Sequence, residues 1–138
     1  MLTKDRNTDI DRLVDEHFAA EIRGDLTALL ATFTDDVEHD VVGDGEPRHG
    51  KDEAAAFYRR LLGDMTLERI DTVRRYHGDG FTVDESLVHA RAVGNPFGFD
   101  GRNREVTFRL LHVFEITDGR IRRENAWLDV PAIISQLA

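Results

Sequence analysis

The chain has 138 residues, 41% of them hydrophobic and 33% charged, and it contains no cysteine. That length buries roughly 68–70% of the unfolded surface, enough for one core and an internal pocket, and the missing thiols exclude disulfides, thiolate metal sites and a cysteine nucleophile. With 18 Lys+Arg against 27 Asp+Glu the formal net charge is −9, which repels phosphate backbones and anionic lipid surfaces and excludes the common nucleic-acid and membrane-surface binders.

Met1 to Ile10 carries no apolar stretch, so no signal peptide is expected, and no segment is long enough to span a bilayer. The expectation is one cytoplasmic domain over residues 1–138. Ile10, Leu13, Val14, Phe18 and Ile22 recur at helical spacing, with Thr8 or Asp9 available as a cap and Gly24 as a stop. Asp25 caps a second short helix with Leu26, Leu29, Leu30 and Phe33 on its apolar side. Val37 to Val42 reads as a strand, residues 43–50 as a loop containing Pro47, and Lys51 to Leu62 as a third helix ended by Gly63. Ala54, Phe57, Tyr58, Leu61 and Leu62 share one side of it.

Strands follow. Leu67 to Tyr76 alternates untidily, Gly78-Asp79-Gly80 is a hairpin turn, and Phe81 to Ala92 is the next strand. Glu105 to Ile116 alternates most cleanly, with Val106, Phe108, Leu110, Phe114 and Ile116 on one face. Asp118-Gly119 turns into a last strand, Arg120 to Asp129, and Pro131 opens a C-terminal helix. The basic run Arg120, Arg122 and Arg123, broken by Ile121 and followed by Glu124, reads as a solvated strand face. Helices first and antiparallel strands after them imply an α+β fold, one curved sheet wrapped around a helical layer as a cone with an internal pocket.

A polar residue on an apolar stripe needs a reason, because burying it unpartnered costs about 1–3 kcal/mol. His112 shares its face with Leu110 and Phe114, and His17 falls between Val14, Leu13 and Glu21 on the inward helical stripe. His39 and Asp40 point to opposite faces of their strand, and alternation leaves open which one goes in. Asn125, Trp127 and Asp129 share a face of the last strand, where Asp129 could equally cap the final helix. Glu85, His89 and Arg91 fit a salt-bridged outer face better than a pocket. A carboxylate near a histidine in an apolar cone suits proton transfer. Ser86 and Ser135 are the only serines and neither sits in a nucleophile elbow; no phosphate loop, dinucleotide fingerprint or HExxH is present.

The stretch from Phe33 through Asp40 to Gly43, then Glu46-Pro47-Arg48-His49-Gly50 and Ala56-Phe57-Tyr58, resembles the ketosteroid isomerase branch of the nuclear-transport-factor-2-like superfamily. Phe108 to Glu115 and Arg123 to Asp129 are more similar to its SnoaL-like polyketide cyclases. The resemblance implies a cystatin-like α+β barrel of mixed, mostly antiparallel strands. It implies cofactor-free acid–base chemistry beside a carbonyl, by an isomerase or lyase acting on a hydrophobic steroid- or polyketide-like substrate. It implies Asp40 as the base, or Asp129 on the cyclase pattern, with His112 and His17 at the developing oxyanion. His39, Phe57, Tyr58, Asn125, Trp127 and Phe18 are the substrate-binding candidates, with no metal. The family habit also implies a homodimer through the outer face of Arg109, Leu111 and Val113. Non-catalytic ligand binding is one alternative on this fold. Epoxide hydrolysis by an Asp–Arg–Asp set, with Arg91 as the inward arginine, is another.

Overall fold

The computed structural model describes the backbone of residues 2–138 and the side chains from Arg6 onward. Met1, part of the stretch read as lacking a leader, lies outside the described residues. Helix α1 (Leu2–Arg23) begins before Thr8 and Asp9, so both sit inside the helix and neither caps it. Gly24 ends it at φ +67°, where the N–H of Gly24 and of Asp25 reach back to the carbonyls of Glu21 and Ala20, both at 3.0 Å. Asp25 then caps α2 (Leu26–Ala31), its Oδ1 accepting from the Ala28 N–H at 3.0 Å.

Phe33, expected on the second helix, instead opens strand β1 (Phe33–Val41). The expected loop holds a two-residue strand, β2 (Arg48–His49), paired with β1 at Glu38 and His39. Helix α3 (Gly50–Asp64) runs through Gly63 rather than stopping there. Next come β3 (Thr66–Gly78), β4 (Phe81–Ala92), a single 3₁₀ turn at Pro96–Gly98, β5 (Arg104–Thr117), β6 (Arg120–Leu128) and α4 (Val130–Leu137). The untidy alternation of β3 has a cause: its register against β4 shifts between Leu67 and Arg69 and again between Thr72 and Arg74.

The six strands form one curved, unclosed sheet in the order β2-β1-β6-β5-β4-β3, antiparallel except where β1 runs parallel to β6. Its inner face packs on the helices in two apolar clusters. One gathers Val14, Phe18, Leu29, Phe33, Tyr58 and Phe114, and the other Met65, Leu67, Val88, Phe108 and Ile133. Glu85, His89 and Arg91 occupy the half-exposed outer face of β4, while Thr82, Asp84, Ser86, Val88 and Ala90 are buried. Among the described residues no helix is long and apolar enough to cross a membrane.

The β4–β5 connection closes at its base through Gly101, whose N–H bonds Gly94 O at 2.9 Å. A Cβ at Gly101 would overlap the backbone carbonyl of Ala92, which cannot swing away as a side chain could. Gly101→Ala is therefore expected to cost about 1–3 kcal/mol, read as a lower urea midpoint at unchanged slope. An unchanged midpoint would show that the β4–β5 base yields freely.

Candidate active site

Five elements deliver polar side chains to one point beneath the sheet. Helical spacing puts His17 and Glu21 on one face of α1, four residues apart. Strand alternation does the same for His39, which shares the inner face of β1 with Val37 and Val41, and for His112 between Leu110 and Phe114 on β5. Tyr58 comes from the buried face of α3. On β6 the pairing with β5 slips by one residue, so that Ile116 faces Ile121 while Glu115 faces Arg123. Arg122 is the extra residue. Past this bulge the inner positions are Glu124, Ala126 and Leu128.

Glu124, only 2% exposed, is the centre. Its Oε1 lies 3.1 Å from His17 Nε2, and its Oε2 lies 3.2 Å from His39 Nε2 and 3.5 Å from His112 Nε2. The Tyr58 hydroxyl donates to the carboxylate at 3.0 and 3.1 Å and lies 3.1 Å from His39 Nε2. Since that hydroxyl has one proton and Glu124 takes it, His39 must present Nε2–H. The state of His17 is fixed in the same way. Thr32 Oγ1 gives its proton to Leu29 O at 2.6 Å, so His17 Nδ1 donates to Thr32 at 3.0 Å. Its Nε2 then faces two carboxylates, Glu124 and Glu21, each at 3.1 Å, and is protonated too. His17 is thus an imidazolium, although the angles to both acids depart from an ideal hydrogen bond.

Burial alone would lower the His17 pKa, but Glu124 and Glu21 override it and carry it from 6.5 up to about 10. Burial alone would raise Glu124, yet its electrostatic interactions with the His39 and His17 rings and the hydrogen bonds from His112 and His17 hold it well below the usual carboxylate range. Burial and the Glu124 charge push the Tyr58 phenol up, keeping it a neutral donor.

His17 supplies stability that is complete below pH 6.5 and is lost as pH rises through about 10; Glu124 supplies stability that is present above 4.5 and is lost as pH falls below it. Their contributions are jointly complete only between those limits. Melting temperature is expected to decline from about pH 6.5 towards 10, and His17→Gln should flatten that alkaline limb. An alkaline limb as steep in the variant as in the wild type would place its origin elsewhere.

Besides His17 Nε2, which meets its two carboxylates off-angle, two histidine nitrogens of the cluster, His39 Nδ1 and His112 Nδ1, have no hydrogen-bond partner. Of this pair, His112 lines a cavity to which His39 does not contribute. That cavity, about 40 Å³, is walled by apolar residues including Val41, Phe57, Met65, Val88, Phe108 and Leu128, and its polar lining is Glu21, Tyr58, His112 and Glu124. The His112 ring stacks on Phe114, centroids 4.7 Å apart, and Phe18 packs on it at 5.5 Å. A larger hollow of about 270 Å³ adjoins it, sharing Val41, Phe57, Leu61, Met65 and Leu128 and rimmed by Asp44, Arg60, Asp64 and Phe97.

The structure therefore brings together His17, His112, His39, Tyr58, Phe57 and Phe18 from the sequence candidates. It places four others elsewhere. Asp40 is on the opposite face from His39, because Val37 and Val41 claim the inner face, and it meets Arg123 and Asn125, both at 3.4 Å. Asn125 and Trp127 are turned outward by the β6 bulge, Trp127 to 40% exposure. Asp129 caps α4, its Oδ1 accepting from Ala132 N–H at 3.2 Å.

The inward arginine also differs from expectation. Arg91 pairs with Glu105 on the outer face at 2.8 Å. Arg75 instead reaches under α1 to Asp84 and Asp11 at 2.8 Å and to Asp15 at 3.0 Å. Glu124 and Glu21 were missed as site residues. Glu124 looked like the acidic end of a basic run, and Glu21 entered only as a neighbour of His17; the signal for Glu21 was its own place on the apolar stripe of α1.

The SnoaL-like domain model matches residues 14–124, a span that runs from the inward stripe of α1 to the central carboxylate. Among solved structures, a candidate polyketide cyclase from Pseudomonas putida KT2440 is 26% identical with a TM-score of 0.80, over 91% of this chain and 96% of that one. A second, from Xanthomonas campestris pv. campestris, is 24% identical with a TM-score of 0.79, over 95% and 98%. An LEH-like epoxide hydrolase of M. tuberculosis is 22% identical with a TM-score of 0.74, over 94% and 90%. None of the curated proteins matches the chain in sequence. A matched span covering most of the chain, on a helix-filled curved sheet shared with these structures, makes the protein a member of the SnoaL-like domain family.

Proposed function

We propose that the protein is a small-molecule enzyme that moves a proton beside a carbonyl, as an isomerase or aldol-type cyclase does, on a hydrophobic steroid- or polyketide-like substrate. One observation carries this reading: His112 has its Nε2 side turned to a buried carboxylate while its Nδ1 is unpartnered and the residue borders an apolar cavity. A carboxylate behind one nitrogen orients the ring, keeps the other nitrogen's lone pair free and stabilises the imidazolium formed when that lone pair takes a proton. Glu124, already saturated by donors, is the positioning group and not the base. The adjoining hollow, near the lower end of ligand pockets at about 300–1,000 Å³, holds the apolar body of the substrate while its carbonyl end enters the floor. Asp40 and Asp129 are assigned no proton transfer in this reading.

Epoxide hydrolysis is disfavoured because Arg75 and its three aspartates do not border the cavity. The outer face, where Leu111 and Trp127 lie opposite each other and exposed, is the proposed homodimer contact.

The test is solvent deuterium entering the α position of cyclic ketone probes such as 2-tetralone, followed by NMR. Exchange above buffer that survives Asp40→Asn is expected. Binding of the probes with no exchange by wild type would leave a ligand carrier and remove the enzyme reading.

A further inference from the structure

The cavity floor holds two carboxylates, and they are not equivalent. Glu124 faces three imidazoles and a phenol, whereas Glu21, 6% exposed, has His17 Nε2 as its one ion-pair partner among the described residues and shares that partner with Glu124. Both Glu21 and His112 line the same cavity of about 40 Å³, so one small occupant meets both. No Arg or Lys forms an ion pair with either acid among the described residues, and an enolate formed at His112 would gather negative charge beside a fixed carboxylate. Such a floor favours passing a second proton to the substrate as the first is removed.

We infer that Glu21 is the second proton-transfer residue of this site, the group that relays a proton to one end of the substrate while His112 removes one from the other; this rests on the reading of His112 given above. Glu21 is a carboxylate 3.1 Å from Nε2 of the His17 imidazolium, and that imidazolium is the source of the proton it delivers. In a β,γ-unsaturated ketone the C–H bond α to the carbonyl breaks and its proton goes to His112 Nδ1. The electron pair spreads over the carbonyl oxygen and the γ carbon, and the γ carbon then takes the proton that Glu21 passes on from His17 Nε2. The product is the conjugated enone, with no net gain or loss of atoms. After it leaves, a water entering the cavity carries the His112 proton to Glu21, which returns it to His17. The total charge of the floor is unchanged throughout, which a desolvated site requires.

The experiment uses cyclohex-3-en-1-one with two readouts on the same enzyme: α-deuterium exchange by NMR and appearance of the conjugated enone by ultraviolet absorbance. Glu21→Gln is expected to lower the ratio of double-bond migration to α-exchange by at least about thirtyfold. His112→Asn is expected to lose both. Migration in Glu21→Gln within about threefold of wild type, with exchange intact, overturns the role of Glu21 and leaves the His112 reading standing. Absence of both signals in wild type overturns the two together. If Glu21→Gln does not fold, Glu21→Asp gives the same comparison: a ratio of migration to exchange lowered at least about tenfold supports the role, and an unchanged ratio removes it. A purely structural counter-ion to His17 would move both rates together, and a joint loss in a folded variant overturns the assignment.

Discussion

Glu124→Ala is expected to destabilise the fold by roughly 3–5 kcal/mol, the range seen when one partner is removed from a buried charged set. For a chain of this length that is a fall of about 10–20 °C in melting temperature. The reason is the number of donors the carboxylate satisfies: without it the His17 imidazolium keeps only Glu21, and the Tyr58 hydroxyl and the Nε2–H of His39 lose their shared acceptor inside the core. Glu124→Gln should recover little, because an amide offers one acceptor oxygen to these donors and turns its own N–H groups against the rest. Asp40→Asn is the contrasting case. Its contacts with Arg123 and Asn125 are 3.4 Å long at the sheet's outer face, and its loss should stay within about 1 kcal/mol. Thermal melts of the three variants decide the matter; equal effects at Glu124 and Asp40 would deny Glu124 its central place.

His112→Asn is expected to lower the rate of α-exchange by roughly 10²–10⁴, the usual contribution of one positioned acid–base group. The loss should appear equally in kcat and kcat/KM, with probe binding changed only a few-fold, since the apolar wall of Phe57, Met65, Val88 and Phe108 is left in place. His39→Asn provides the control, because His39 has the same orphaned Nδ1 and the same carboxylate but does not line the cavity. A loss at His39 as large as at His112 would mean that the cluster acts through its structure alone.

The elements that read clearly in sequence are those whose periodicity is unbroken. β4 and β5 alternate without interruption, and their inner faces, His112 included, follow from counting by twos. The helical stripe carrying Val14, His17 and Phe18 is legible for the same reason. At β6 a single bulge reverses the count. Reckoned from Ile121 by twos, the inward residues are Arg123, Asn125 and Trp127; with Arg122 looped out they are Glu124, Ala126 and Leu128. A bulge has no reliable sequence signature, so the central carboxylate was hidden by one residue of register. The choice between His39 and Asp40 was open for a smaller reason. Val37, Val41 and Val42 place apolar residues on both parities, and only the structure shows Val42 leaving the strand at 47% exposure. Asp129 was ambiguous because a cap and an acid–base aspartate look alike before a proline.

The parallel pairing of β1 with β6 joins Phe33–Val41 to a strand made some eighty residues later, with only the two-residue β2 on the other edge of β1. A chain emerging from the ribosome therefore carries β1, with Phe33, Val37 and Val41 on one face, for most of its synthesis before its main partner exists. Closure of so long a loop makes this a high-contact-order step. His17, His39, Tyr58 and His112 all precede Glu124 in the chain, so the carboxylate that neutralises and satisfies them is the last of the group to be made. The cone can take its final form only once β6 has been made, and a message truncated after β5 would yield an exposed strand edge and a ring of unmatched donors, a product suited to aggregation or proteolysis rather than to partial activity.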